Sequence, residues 1–226
     1  MKITNVGKYM VGRIEDVRFT DKEKEHVLKF GNEETEEEIL DMIAEAEEIA
    51  DPKALFMVAA VEKNEDLTEN GVVPQSDFVK EKLSGRGRCF PYIASCSDEL
   101  DAWARQYDGD PIAEYWADEI KQVYLQKIMK EMFPYIKDTY QTSGHLAALN
   151  PGSIVQWPIR GQEELFEMLG GRDFVKEQVG VAYTDSYLMV PNKSVSGIAF
   201  ESEVFYENCQ HCPIEGCPNR RAKRID

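Results

Sequence analysis

Residues 179–200 read VGVAYTDSYLMVPNKSVSGIAF. Two runs in this stretch, VAYTDSYLMV and SVSGIAF, carry β-branched and aromatic residues, and Pro191-Asn192-Lys193 stands between them. Such side chains suit a pleated surface and the intervening residues suit a turn, so the stretch predicts a β-hairpin. Helical periods lie upstream. From Pro111 to about Tyr140, apolar residues such as Trp116, Ile120, Tyr124, Ile128, Met132 and Ile136 recur every three or four positions. That spacing predicts one long central helix, with Asp110 as its N-cap and Pro111 in its first turn. Ile39, Met42, Ile43 and Ala46 mark a second helix that starts near Thr35 and ends before Asp51-Pro52. Residues 54–61 read as a buried strand, followed by a polar loop and a short helix over 75–83. Residues 88–95 (RCFPYIAS) read as another strand, in which Pro91 points to an edge position or a kink. Ser97 caps a helix, and Leu165, Phe166 and Leu169 mark one more after a loop over 141–157. Helices and strands mix without a regular βαβ alternation, which predicts an α+β fold rather than a doubly wound sheet.

The chain has 226 residues, and its 26 Lys and Arg against 42 Asp and Glu leave a formal charge of −16. A nucleic-acid partner needs clustered cations to neutralise phosphate, so that function class is excluded, and so is docking on an anionic membrane. The longest apolar run, residues 55–61, is too short to cross a bilayer. The first residues show no apolar signal segment, so the expected location is cytoplasmic. No phosphate-binding P-loop and no glycine-rich dinucleotide fingerprint occurs. His26, His145 and His211 are scattered, and no nucleophile–base arrangement follows from their spacing.

Five cysteines are present: Cys89, Cys96, Cys209, Cys212 and Cys217. An odd number without an export signal does not read as a disulfide framework. The last three form a C-x2-C-x4-C cluster, close enough in sequence to share one metal ion. A fourth ligand could come from Cys89, Cys96, His211, a neighbouring chain or an exogenous group. A redox role would favour an iron–sulfur cluster and a structural role zinc. Residues 207–226 therefore read as a Cys-rich, basic tail on a domain spanning 1–206.

The segment LNPGSIVQWPIRGQEELFEMLGG (residues 149–171) has a Pro-Gly turn followed by a short amphipathic helix. Downstream come Gly180-Val181-Ala182-Tyr183-Thr184-Asp185-Ser186, Met189, Pro191 and Ser194-Val195-Ser196-Gly197. Together these resemble the S-adenosylmethionine-binding activation domain family of vitamin B12-dependent methionine synthase. The resemblance implies a single α+β domain with a twisted antiparallel sheet and flanking helices. It implies a part in the reductive reactivation of a corrinoid, linked to methyltransferase activity: an electron donor reduces cobalt, and methyl transfer from S-adenosylmethionine traps the reduced metal. It places cofactor contacts at Pro151, Gly152, Ser153, Ser194, Val195, Ser196 and Gly197. The partners implied are a separate corrinoid protein or methyltransferase and an electron donor, with cobalamin reached only through the partner. Metal held by Cys209, Cys212 and Cys217 could deliver that electron.

The sequence departs from the family at two positions. An Arg stands three residues before the Pro in the family and a Tyr follows the Gly; here the residues are Ala148 and Ser153. Alanine cannot grip a carboxylate as a two-pronged donor. Arg160 and His145 are the candidates to supply the missing charge. Two other readings follow: a non-catalytic binding or scaffold protein that has lost the cofactor, and a metal-cluster electron carrier that works through the tail.

Overall fold

The computed structural model describes residues 1–61, 74–212, 214–216, 220 and 222–225. In chain order the strands and helices are β1 (Lys2–Val6), β2 (Tyr9–Arg13), α1 (Asp21–Leu28), α2 (Glu36–Ile49), β3 (Lys53–Met57) and β4 (Ala59–Ala60). There follow α3 (Asp77–Leu83), β5 (Arg88–Ser95), α4 (Asp98–Ala104), α5 (Pro111–Thr139), β6 (His145–Leu149) and α6 (Gln162–Met168). The last are α7 (Arg172–Val179), β7 (Ala182–Tyr183), β8 (Met189–Val190) and β9 (Ser194–Ser202). The polar loop expected after the strand at 54–61 falls in residues 62–73, outside the described residues.

Seven strands form one sheet in the order β1-β2-β3-β5-β9-β6, with β4 also paired to β5, and every pairing is antiparallel. This is the α+β class the sequence predicts. The long helix is α5, 29 residues, started by Asp110, whose side chain accepts from the Ile112 and Ala113 amides. Its buried face, including Trp116, Tyr124, Ile128, Met132 and Ile136, packs on β3 and β5. Among the described residues no helix is long and apolar enough to cross a membrane.

Two expectations are corrected. The hairpin expected across residues 179–200 splits. Its first run folds on itself, β7 against β8, around a turn in which the Tyr187 amide donates to Thr184 O at 2.8 Å. Thr184, Asp185 and Ser186 favour local turn formation over strand extension, so the run breaks there. The second run, β9, lies between β5 and β6, and residues 196–200 are all buried, as a central strand requires. Of the two expectations for Pro91, an edge position or a kink, only the edge is overturned: β5 is central. The β3 ladder on β5 ends at Phe56–Tyr92 and pairing resumes in β4 at Ala59–Cys89, so the missing proline N–H falls where the ladder lapses. The structure also adds β6 within the expected loop. Its sequence, HLAAL, has weak strand preference, and pairing with β9 overrides it.

Candidate functional site

The chain leaves β6 through Asn150-Pro151-Gly152-Ser153. The Ser153 amide donates to Asn150 O at 3.2 Å and Gly152 has φ +79°. Proline at the second turn position and a left-handed glycine at the third make this a type II turn. The Gly152 amide also donates to Trp157 O at 2.8 Å, which folds residues 150–157 into a closed loop. Space is short as well, because a Cβ on Gly152 would stand 2.8 Å from Ile159 Cδ1. Pro151 is buried, whereas Gly152 and Ser153 face solvent.

Asn150 ties this turn to the sheet. Its Nδ2 donates to Tyr92 Oη at 2.8 Å and to Ser196 O at 2.7 Å, joining β6, β5 and β9. The downstream block serves the same scaffold. Ser196 Oγ donates to Gln162 Oε1 at 2.6 Å and so anchors the start of α6. Gly197 lies under the turn. Ser194 and Val195 lie at the start of β9, opposite Ser95 and Ala94, and Ser194 Oγ donates to Ser95 Oγ at 3.0 Å. Of the seven residues the resemblance selects, the structure thus brings Ser196 and Gly197 beside Pro151 and Gly152. The polar side chains of Ser194 and Ser196 are used within the fold.

Between the start of α3 and residues 155–164 lies an open recess of about 390 Å³, one of several surface recesses of comparable or larger size; residues 150–153 do not line it, and the turn meets it only through the Gly152–Trp157 hydrogen bond. Phe78, Val155, Trp157, Arg160, Gly161 and Glu164 contribute to its walls. Two hydrogen bonds hold the walls together: Ser76 Oγ to Gln156 O at 2.8 Å and the Gln75 amide to Glu164 Oε2 at 3.1 Å. Burial holds the Glu164 carboxyl above its ordinary range, against the pull of the Gln75 N–H and the Arg160 charge. The Trp157 indole is buried and its Nε1 has no hydrogen-bond partner. Of the two cations considered as substitutes for the lost arginine, Arg160 stands on this recess. His145 stands instead at the start of β6, its ring 6.1 Å from that of Phe205. Phe78 and Glu164 were not legible as site residues. Phe78 reaches the recess only because α3 docks on the 155–161 loop, and nothing in its sequence neighbourhood signals that.

The C-terminal segment adjoins the same region. Asn208 Nδ2 donates to Asn150 Oδ1 at 2.6 Å. His211 stacks on Tyr206 and meets Phe78 edge-on, and burial together with the Lys82 charge lowers its pKa. Cys209 and Cys212 are half-buried, and Cys217 lies outside the described residues. Among the described residues no group of three or more His, Cys, Asp or Glu is placed to hold a metal ion. Cys89 and Cys96, considered as fourth ligands, are fully buried, and burial pushes both thiols up to about 12. Neutral buried thiols of this kind behave as small core side chains.

Fold and site together define an α+β domain with a surface recess against the loop that a proline–glycine turn opens. No protein-family profile matches the sequence, and no curated protein matches it. Among solved structures, the fold is similar to one described as the MetH reactivation domain bound to AdoHcy. The likeness has a TM-score of 0.52 at 14% identity and covers 81% of this chain and 71% of that one. At that identity it speaks to the fold.

Proposed function

We propose that this chain is an activation-domain-like protein. It presents S-adenosylmethionine beside Pro151 and Gly152 to a separate corrinoid protein and assists that protein's reductive reactivation or methyl transfer. The observation that carries the reading is the fold, similar to a domain seen with AdoHcy, with a recess against the loop that the Pro151–Gly152 turn opens. The lining chemistry suits such a ligand. Arg160 offers a two-pronged donor for a carboxylate, in place of the arginine lost at Ala148. Glu164 offers a negative charge toward an ammonium or sulfonium group and Phe78 an aromatic face. S-adenosylmethionine supplies the methyl group, an external donor the electron, and the partner the cobalt. The work of this chain is to hold the sulfonium in reach and exclude competing geometries.

The C-x2-C-x4-C spacing supports a metal site at Cys209, Cys212 and Cys217: an iron–sulfur cluster there would be the route for that electron, whereas redox-inert zinc would only hold the segment together. Anaerobic purification with iron, sulfide and zinc analysis tests it; a metal-free, colourless protein would remove the route.

The main reading is tested by calorimetry with S-adenosylmethionine and with AdoHcy, and by following cobalt reduction in a corrinoid protein with and without this chain. Saturable micromolar binding and a faster approach to methylcobalt are expected. Absence of both would reject it. The scaffold reading draws on Ala148 and Ser153, and on the use of the Ser194 and Ser196 hydroxyls within the fold. It expects complex formation with the corrinoid protein without binding of either ligand.

A further inference from the structure

Residues 206–212 are built onto the ligand turn. Tyr206 Oη donates to Asn208 Oδ1 at 3.2 Å, which orients the Asn208 amide so that its Nδ2 reaches Asn150 Oδ1. Asn150 is then used on every side: its Nδ2 serves Tyr92 and Ser196, and its Oδ1 receives Asn208. Next to this contact the chain closes on itself. Arg220 donates to Cys209 O at 2.7 Å, to Cys212 O at 3.3 Å and to Ile214 O, and the Ile225 amide donates to Gln210 O at 2.9 Å. One guanidinium therefore gathers the backbone of both cysteines into a loop whose first limb carries Asn208. The loop is also pressed on the recess wall. His211 lies between Tyr206 and Phe78, and Lys82 Nζ stands over the Phe78 ring at 5.1 Å and the Tyr206 ring at 5.8 Å.

We infer that Asn208 is a positioning residue for the Pro151–Gly152 turn, and that through it the chemical state of Cys209 and Cys212 is communicated to the ligand recess. The inference rests on the reading of that recess as the ligand site. A group attached to either half-buried residue's thiol adds bulk to a loop whose carbonyls are already held by Arg220. The strain it adds is relieved at the adjoining contact, Asn208 to Asn150. Loss of that contact leaves a half-buried carbonyl oxygen without its donor and frees the turn that Asn150 begins. The coupling is reciprocal at equilibrium: whatever reversible modification of the thiols does to ligand affinity, bound ligand does to the equilibrium of that modification.

The test reads the turn directly, without ligand. The Gly152 and Ser153 amides are both hydrogen-bonded, to Trp157 O and Asn150 O, so their hydrogen exchange reports whether the turn is held. Exchange is measured on the full chain carrying Cys217→Ser, before and after Cys209 and Cys212 are capped with a maleimide. It is also measured in Asn208→Ala and Asn208→Gln. Capping and Asn208→Ala are each expected to speed both amides roughly fivefold, the size set by loss of one hydrogen bond. Asn208→Gln, which keeps an amide donor, is expected to fall closer to wild type. In a second arm the equilibrium of a mixed disulfide at these thiols, set by a glutathione (GSSG/GSH) buffer, is expected to shift on AdoHcy binding by the factor by which that modification weakens AdoHcy binding. Unchanged exchange at Gly152 and Ser153 in the capped protein would overturn the communication. Unchanged exchange in Asn208→Ala, or a rise spread evenly over the sheet amides, would overturn the positioning role. If the exchange arm succeeds and AdoHcy fails to bind, the cofactor reading fails alone.

Discussion

Ser196 Oγ donates to Gln162 Oε1 at 2.6 Å, and both side chains are only 2% exposed. One buried bond thus joins the central strand β9 to the first residue of α6, the helix whose approach carries Trp157, Arg160 and Gly161 to the recess. Ser196→Ala leaves the Gln162 oxygen buried without a donor and is expected to destabilise the fold by about 1–3 kcal/mol. A urea unfolding midpoint checks this. An unchanged midpoint would show that the pair contributes nothing.

Gly197 is expected to tolerate no side chain. A Cβ there would stand 2.5 Å from Leu149 O, 2.6 Å from Asn150 Nδ2 and 2.9 Å from Tyr92 Oη. The first of these is backbone and cannot swing aside, so Gly197→Ala must push β6 and the turn away from β9. A loss of about 1–3 kcal/mol is expected, the usual cost of forcing volume into a packed site. The Asn150 bonds should loosen with it, visible as faster exchange at Ser153.

Arg160 is exposed, and its removal should leave stability within about 0.5 kcal/mol. If it replaces the lost arginine, Arg160→Ala should weaken AdoHcy binding roughly tenfold or more, the scale of a charge-assisted bond to a carboxylate. Calorimetry decides it, and equal affinity in both proteins would remove Arg160 from the site.

Acid should loosen the far edge of the sheet through Glu201. Burial works to raise this carboxyl's pKa, but hydrogen bonds from Arg88 and from the Ser143 amide and hydroxyl outweigh it and hold the pKa below the ordinary value of 4.5. A depressed carboxylate stabilises the fold above its unfolded pKa and loses that contribution as pH falls through its folded value. Stability should therefore drop more steeply below about pH 4.5 in wild type than in Glu201→Gln. Parallel curves from urea titrations at several pH values would argue against this. Because the pair is partly exposed, added salt should blunt the difference.

Thiol reactivity should divide by burial. Cys89 and Cys96 are fully buried, with thiols pushed up to about 12, so they should resist a thiol reagent in the native protein and react after urea unfolding. Cys209 and Cys212, half-buried, should react natively. Native labelling at Cys96, read by peptide mass, would contradict the packing described.

Much of the fold was open to a reading of residue order. The four-residue recurrence of Trp116, Ile120, Tyr124, Ile128 and Met132, close to the helical period and started by Asp110-Pro111, specifies a helix without reference to the rest of the chain. Pro151-Gly152 likewise specifies its own turn, and Ala148 and Ser153 register a departure wherever they fold. These features depend on neighbours within a few positions, so local chemistry suffices. Other features depended on contacts between distant segments. Ser194, Val195, Ser196 and Gly197 look alike in sequence, yet β9 pairing leaves two at its start and seats two beneath the turn. His145–Leu149 has poor strand preference and becomes a strand because β9 offers it an edge. Phe78 and Arg160, 82 positions apart, meet only when α3 docks on the 155–161 loop. No periodicity or spacing carries such an encounter, because its energy arises from surfaces that exist only after the chain has folded.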